Sequence, residues 1–405
     1  MGKRTDYRYG RELLAEASRP VGTERVPLAR CAGRVLAQDL IAMGDVPPFD
    51  RSPLDGYVLR AEDSLSASQD NPVSLRILEE IPASCVPRYT LTAGTASKIL
   101  TGAPVPEGGD AVIAYELTRF TESEVTIFAP LRPGQNIVLR GEDIRKGALL
   151  ASAGQRIDAG LMGSLAGQNV VSPLVFRRPR IGILSTGSEL TELGDDLAPG
   201  KIYDTNRYSM AAAVSELGAD PVLYPGVKDH VSSIADAMEG ALSECDALIT
   251  TGGVSVGDYD LTPAAMEAIG AEILFQGVNM KPGMACCYGI REGKLICGLS
   301  GNPASSITNY YAVALPAMRR LCGLKDYALH EIPVTLAERY EKKSPSNRFL
   351  RGFADFSDGI LKLRLSKGQG NVMISGLIGC DLGAMIPAGS GPVEAGTVLQ
   401  GFFLR

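Results

Sequence analysis

The chain has 405 residues, 45% of them hydrophobic and 21% charged, with a net charge of −6; that length suits about two to four domains. The composition is that of a globular protein rather than a disordered one, and the missing basic excess argues against a nucleic-acid-binding role. With only two histidines, His230 and His330, a histidine triad or His-rich zinc site is nearly excluded, leaving chemistry to carboxylates, lysine, arginine and backbone donors.

The N-terminus, MGKRTDYRYG, carries charge without an apolar core, so no signal peptide is expected. No run approaches the roughly eighteen apolar residues a membrane span needs. Eight cysteines (Cys31, Cys85, Cys245, Cys286, Cys287, Cys297, Cys322 and Cys380) form no C-x-x-C pair and no regular framework, which predicts reduced thiols and a cytoplasmic protein.

In chain order, residues 1 to about 45 read as helical, with one amphipathic stretch at RELLAEAS and a second at LARCAGRVLAQDL. DVPPFDRSPLDGYVLR then breaks the helical register: its prolines and its Asp55-Gly56 turn predict an exposed loop before a strand at Tyr57–Leu59. Spacing alone leaves Asp55 open between a plain turn former and a site residue. From 46 to 140, short β-branched segments (VSLRILEEI, DAVIAYEL, EVTIFAP) between Pro/Gly turns predict a β-rich domain. Within it Thr101-Gly102 closes a strand, and the loop that follows holds more turn chemistry than a hairpin needs, as a binding rim would. RPGQNIVLRGEDIRKG clusters Arg140, Glu142, Asp143, Arg145 and Lys146, read either as a solvated charged turn or as part of a site. DAGLMGSLAGQNV reads as a small-residue helix that could pack tightly on another, so residues 1–45 and 141–176 are expected to form a discontinuous linking domain, to which the resemblance given below adds dimerisation.

Residues 177–323 alternate strands with helical segments, the pattern of βαβ units and a mostly parallel sheet. RIGILST, PVLYPG, ALITT, EILFQGV, ACCYGI and LICGLS are the predicted strands, and Asn206 is the predicted N-cap of the helix NRYSMAAAVSELG. No G-x-G-x-x-G follows the first strand, which disfavours a dinucleotide fold. Four strand ends carry similar equipment. STGSEL offers Thr186, Gly187 and Glu189. GVKDH offers Asp229, which could equally be only a helix cap. TTGGVSVGDYD offers Gly252, Gly253, Ser255, Gly257, Asp258 and Asp260. SGNPASS offers Ser300, Gly301, Asn302 as N-cap and Pro303 at the first helical position. Adjacent glycines let backbone N–H groups approach a phosphate, and aspartates supply hard oxygen ligands for magnesium. Each motif is weak alone; along the carboxyl edge of one open sheet, where ligands bind, they describe a pocket for a phosphate or other oxyanion with a carboxylate-held cation. Residues 324–405 return to β character and predict a small barrel or sandwich, with Arg348 and Arg351 in SNRFLRG either on its rim or at an oxyanion.

PPFDRSPLDGY, ILTGAPVPEGGDAVI, GQNIVLRGEDI, STGSEL, KIYDTN, GGVSVGDYD, MKPG and SGNPAS, in this order and over nearly the whole chain, resemble the molybdopterin molybdenumtransferase family: the MoeA proteins and the E domains of gephyrin and plant Cnx proteins. The resemblance implies a multidomain α/β plus β homodimer whose central domain is shared with the single-domain molybdopterin adenylyltransferases. Its activity would be magnesium-dependent insertion of molybdate into adenylylated molybdopterin, giving molybdenum cofactor and AMP. Adenylyltransferases and molybdoenzyme maturation proteins are the implied partners.

By this resemblance Glu189, Asp229 and Asp260 match the acidic substrate and magnesium residues, and Asp143 matches the acidic residue of the Gly-Glu-Asp loop. Asp55 and Thr101 match cleft residues that face the other subunit's α/β domain. Lys281 matches the lysine of the Lys-Pro-Gly turn, and Arg348 and Arg351 lie where the last domain lines the oxyanion site. The family reads Lys-x-x-x-Lys-Pro-Gly-Lys-Pro; here Gly277 and Met284 stand in for two of those lysines, and Ser300 replaces the first proline of Pro-Gly-Asn-Pro. The lost cations keep open a non-catalytic pterin-binding scaffold; adenylyl transfer onto molybdopterin is the other alternative, against which the additional domains argue. Cys286-Cys287 reads most simply as a pair of buried strand thiols.

Overall fold

The computed structural model describes residues 4–255 and 261–404. The chain divides into two compact units. The first takes in the chain up to Gln38, Ala153–Asp158 and everything from Ser172; the second is Asp39–Ser152 with Ala159–Val171.

In the first unit the strands Arg180–Ser185, Asp220–Leu223, Ala247–Thr251, Glu272–Gln276, Cys286–Arg291 and Lys294–Leu299 make a six-stranded sheet. Arg180–Ser185 pairs in parallel with Asp220–Leu223 and Ala247–Thr251, and the latter with Lys294–Leu299. Cys286–Arg291 pairs antiparallel on both sides, so it alone runs against the rest. Ala247–Thr251 is buried throughout, as its unbroken apolar and β-branched run requires of a central parallel strand. Helices Thr205–Leu217, Val231–Glu244 and Thr262–Ala268 are the crossovers. Cys286 and Cys287 are buried on opposite faces of their strand, one in each of the two cores that flank the sheet.

The segment after SGNP is one long helix with a widened turn: Pro303–Asn309, a π turn over Tyr310–Ala314, then Leu315–Leu321. Pro316 has no N–H to give the carbonyl four residues back, and Leu315 N instead reaches Tyr310 O. Beyond it, Ile332–Leu336, Asn347–Asp355, Lys362–Leu365, Leu382–Ile386 and Val398–Phe403 close into a five-stranded barrel. Phe349, Met385 and Phe402 of the barrel share a core with Tyr288 and Tyr310.

The second unit is a curled six-stranded sheet that includes Gly56–Leu59, Val73–Ile81, Thr95–Ile99 and Ala111–Ala114, with the helix Ala159–Gly167. Its core is built from Tyr57, Leu59, Leu75, Ala96, Ile113, Val125 and Ile127.

Two sequence expectations fail. The helix expected over LARCAGRVLAQDL is a single 3-10 turn, Leu28–Arg30. Gly33 sits at φ +75, and Val35 and Leu36 bridge to Arg156 and Val175, so distant backbone captures a stretch whose periodicity suggested a helix. Asn206 is not the N-cap of its helix either. Asp204 caps it, accepting from Arg207 N at 3.1 Å.

Candidate active site

Four backbone turns meet at the carboxyl edge of the sheet. Thr186 N donates to Thr251 O at 2.8 Å, Gly187 N to Val227 O at 3.1 Å, and Gly252 N to Leu299 O at 2.9 Å, so the turns are laced to one another. A Cβ on Gly252 would stand 2.3 Å from Thr186 O, and the corresponding point on Gly301 lies 3.6 Å from Gly252 Cα. Only glycine allows backbones this close, and Gly252 and Gly253 have φ +104 and +61. Thr262 ties the far side of the loop, its hydroxyl donating to Gly252 O at 3.0 Å and its amide to Gly253 O at 3.0 Å.

The acidic side chains gather on Ser188. Asp229 Oδ2 accepts from Ser188 N at 2.9 Å, so this carboxylate does not serve as a cap; His230 takes the N-cap position of the helix that follows. The Glu189 carboxylate folds back over Gly187, with Oε2 2.7 Å from where a Cβ would be. Lys201 Nζ donates to Ser188 O. Behind the turn the buried Arg207 binds Glu192, Asp204 Oδ2 at 3.3 Å and Tyr224 O at 2.8 Å. Its guanidinium holds the Glu192 carboxyl below the usual range. Ser300 and Thr186 are buried, while Glu189, Ser255, Gly301 and Asn302 face solvent. Asp258, Asp260 and Gly257 lie outside the described residues.

Pro303 begins its helix after Asn302, as the sequence implies, but Ser305 N and Ser306 N both turn back to Asn302 O at 3.0 Å. The turn is braced by a residue the sequence marked only as a helix cap: Asn206 donates to Gly301 O at 2.8 Å. Asn309 is a second brace. Fully buried, it donates to Gly283 O at 2.6 Å and accepts from the Tyr288 hydroxyl, fixing the Lys-Pro-Gly turn to the helix. The sequence signals for Asn206 are its capping type and its place in the family motif KIYDTN; Asn309 has none.

Lys281 lies on the two-residue strand Met280–Lys281, which pairs in parallel with the barrel, Lys281 opposite Arg348. Lys281 is exposed, and Arg348 Nε is buried without a partner. Arg351 is wholly buried, donating to Thr308 Oγ1 at 3.3 Å and to the carbonyls of Gly368 and Gly370 at 2.8 and 3.3 Å. Its terminal nitrogens therefore hold the 366–370 turn, and burial pulls its pKa down.

In the second unit three motifs form one exposed patch. Gly102 N donates to Ser52 O and Ser52 N to Ala103 O, at 2.8 and 3.0 Å, while Arg51 bridges to Val138. Asp143 is exposed on the turn that bonds Val46. Asp55 Oδ1 accepts from Thr101 N at 2.7 Å and Thr101 Oγ1 at 2.8 Å, and these bonds, the amide first, hold its carboxyl below the ordinary range. A depressed folded-state pKa stabilises the fold above the ordinary carboxylate value, and that contribution disappears as pH falls through the folded value. Thr101→Val keeps the amide and removes the hydroxyl, so it should move the Asp55 carboxyl part of the way up toward the ordinary range, read by carboxyl-carbon NMR titration; an unmoved titration would show that the hydroxyl does not contribute.

Among the described residues no three acidic, histidine or cysteine side chains cluster as a metal cage. Magnesium commonly uses one or two carboxylates together with substrate phosphates, and two hard carboxylates on either side of the Ser188 turn fit that donor set. No helix of the described residues is long and apolar enough to cross a membrane.

Fold and site together define a multidomain α/β plus β protein whose sheet edge offers hydroxyls, close-packed glycine turns and paired carboxylates, the equipment of a phosphorylated-ligand site. Two family descriptions match the chain: the MoeA N-terminal region (domain I and II) over residues 7–168, and the probable molybdopterin binding domain over residues 182–320. A molybdopterin molybdenumtransferase of Staphylococcus epidermidis is 34% identical over 375 residues, covering 93% of this chain and 90% of its own. One of Staphylococcus aureus is 33% identical over 371 residues, covering 92% and 88%. The crystal structure of a molybdopterin biosynthesis MoeA protein from Pyrococcus horikoshii superposes with a TM-score of 0.85 at 30% identity, covering 99% of this chain and 100% of that one. The chain belongs to the molybdopterin molybdenumtransferase family and is an enzyme of the transferase class.

Proposed function

We propose that the protein inserts molybdate into adenylylated molybdopterin, hydrolysing the phosphoanhydride and releasing AMP with the molybdenum cofactor. The observation that carries this reading is the lacing of the Thr186, Gly252 and Ser300 turns into one edge with Glu189 and Asp229 beside them. Thr186, Gly187, Gly252, Gly253, Ser255 and Ser300–Pro303 cradle the pterin nucleotide. Glu189 and Asp229, together with Asp260, would hold magnesium on the pyrophosphate. A magnesium ion held by them would supply neutralisation of phosphate charge, which lessens the need for a strong base. Lys281 and Arg348 face the oxyanion, and Arg351 positions the turn beside them. Asp55 and Thr101 serve the other subunit of a homodimer, and Asp143 is the acidic residue of the Gly-Glu-Asp loop. The names of the relatives support the substrate class.

One assay tests the reading: purified protein with adenylylated molybdopterin, magnesium and molybdate. AMP release with formation of active cofactor is the expected result. ATP consumption with free molybdopterin would replace it with adenylyl transfer, and tight binding without turnover would replace it with a scaffold.

A further inference from the structure

The turn that carries Lys281 is bordered by an arginine that no motif marks. Residues 277–286 fold back on themselves, with Gly277 N donating to Cys286 O at 2.8 Å and Val278 N to Met284 O at 3.0 Å. The N-terminal residues run alongside this hairpin, Thr5 opposite Val278 in parallel. Thr5 N donates to Gly277 O at 3.1 Å and Asn279 N to Thr5 O at 2.9 Å. Asn279 also clasps Asp6 Oδ2 at 3.0 Å and the Tyr7 amide at 3.0 Å, so the register is fixed at several points.

That register brings Arg4 abreast of Gly277. Its Cγ lies 3.7 Å from where a Cβ on Gly277 would sit, and Met284 O lies 3.5 Å from the same point. The two positions at which this chain lacks a lysine thus meet in one place, and the stem of Arg4 passes over it. Gly277 has φ +70, where a side chain is strained, so a cation here is better supplied by a neighbouring strand. Arg4 and Lys281 are exposed. None of Arg4, Lys281 and Arg348 takes part in an ion pair among the described residues. The buried, unpartnered Arg348 Nε is a donor still waiting for an acceptor. The carboxylate beside this hairpin, Asp6, is engaged by the Asn279 amide and pairs with none of the three cations, so like charges face one another there until an anion arrives.

We propose that Arg4 is an oxyanion-binding residue of this chain, forming with Lys281 and Arg348 a three-cation rim for a tetrahedral dianion of the molybdate class. The inference rests on the molybdate-insertion reading above and adds to it a residue from the opposite end of the chain. Because Arg4 is exposed, Arg4→Ala should fold and melt like the parent. It should raise the molybdate concentration for half-saturation about fivefold and flatten its dependence on salt, as loss of one charged contact does. Arg4→Lys should keep most of the affinity, and Met284→Lys placed in the Arg4→Ala protein should restore it. Equilibrium dialysis of the full chain with molybdate alone, at two ionic strengths, reads all four proteins. An Arg4→Ala protein that binds like the parent at both ionic strengths overturns the proposal and leaves the parent reading intact. A parent chain that binds no molybdate overturns both.

Discussion

Glu189→Ala is expected to lower AMP release from adenylylated molybdopterin by about 10²–10³-fold, the usual loss when one preorganised group at a developing charge is removed. Asp229→Ala should do the same. The two differ in cause. Glu189 is exposed and folds over a glycine, so its loss removes a carboxylate and little else. Asp229 also accepts the Ser188 amide at 2.9 Å, so its loss should additionally loosen the turn. Single-turnover AMP release at saturating magnesium separates them: Asp229→Asn keeps an acceptor for Ser188 and should recover order in the turn without recovering rate. Full turnover by either alanine variant would remove the carboxylates from the chemistry.

The second large effect belongs to Gly252→Ala. Its new methyl would lie 2.3 Å from Thr186 O and 2.6 Å from Thr186 Oγ1, at φ +104. The carbonyl cannot retreat without parting the bonds that lace Arg180–Ser185 to Ala247–Thr251. A loss of about 2–4 kcal/mol in urea unfolding is expected from strain and overpacking combined. The displaced Thr186 should also weaken pterin-nucleotide binding at least about tenfold. A variant with the parent's unfolding midpoint would mean that the two turns are not in contact.

Much of the fold was legible because the relevant signals are local. The six strands of the α/β segment and their crossovers follow from apolar runs alternating with helical stretches, and the SGNP helix start follows from Asn302-Pro303. What escaped depends on partners far along the chain. Val35 and Leu36 look helical until Arg156 and Val175 pair with them. Asp204, Thr205 and Asn206 are all capping residue types in a row; tertiary packing gives the cap to Asp204 and turns Asn206 toward Gly301. The Asp55–Thr101 bonds and the Lys281–Arg348 register likewise join residues that no local pattern connects. Arg351 shows the reverse limit. Its type suggested an oxyanion ligand; nothing in the sequence signalled that it would be wholly buried, with its terminal nitrogens on Thr308 Oγ1 and the carbonyls of Gly368 and Gly370.

The two-residue strand at Met280–Lys281 joins the connection between the sheet strands Glu272–Gln276 and Cys286–Arg291 to the first long strand of the barrel. Lysine and arginine are neighbours through that stitch, and Phe349, next to Arg348, shares a core with Tyr288 and Tyr310. On the proposed reading, a chain whose barrel has not docked would lack the paired Lys281 and Arg348 and with them the place for the oxyanion.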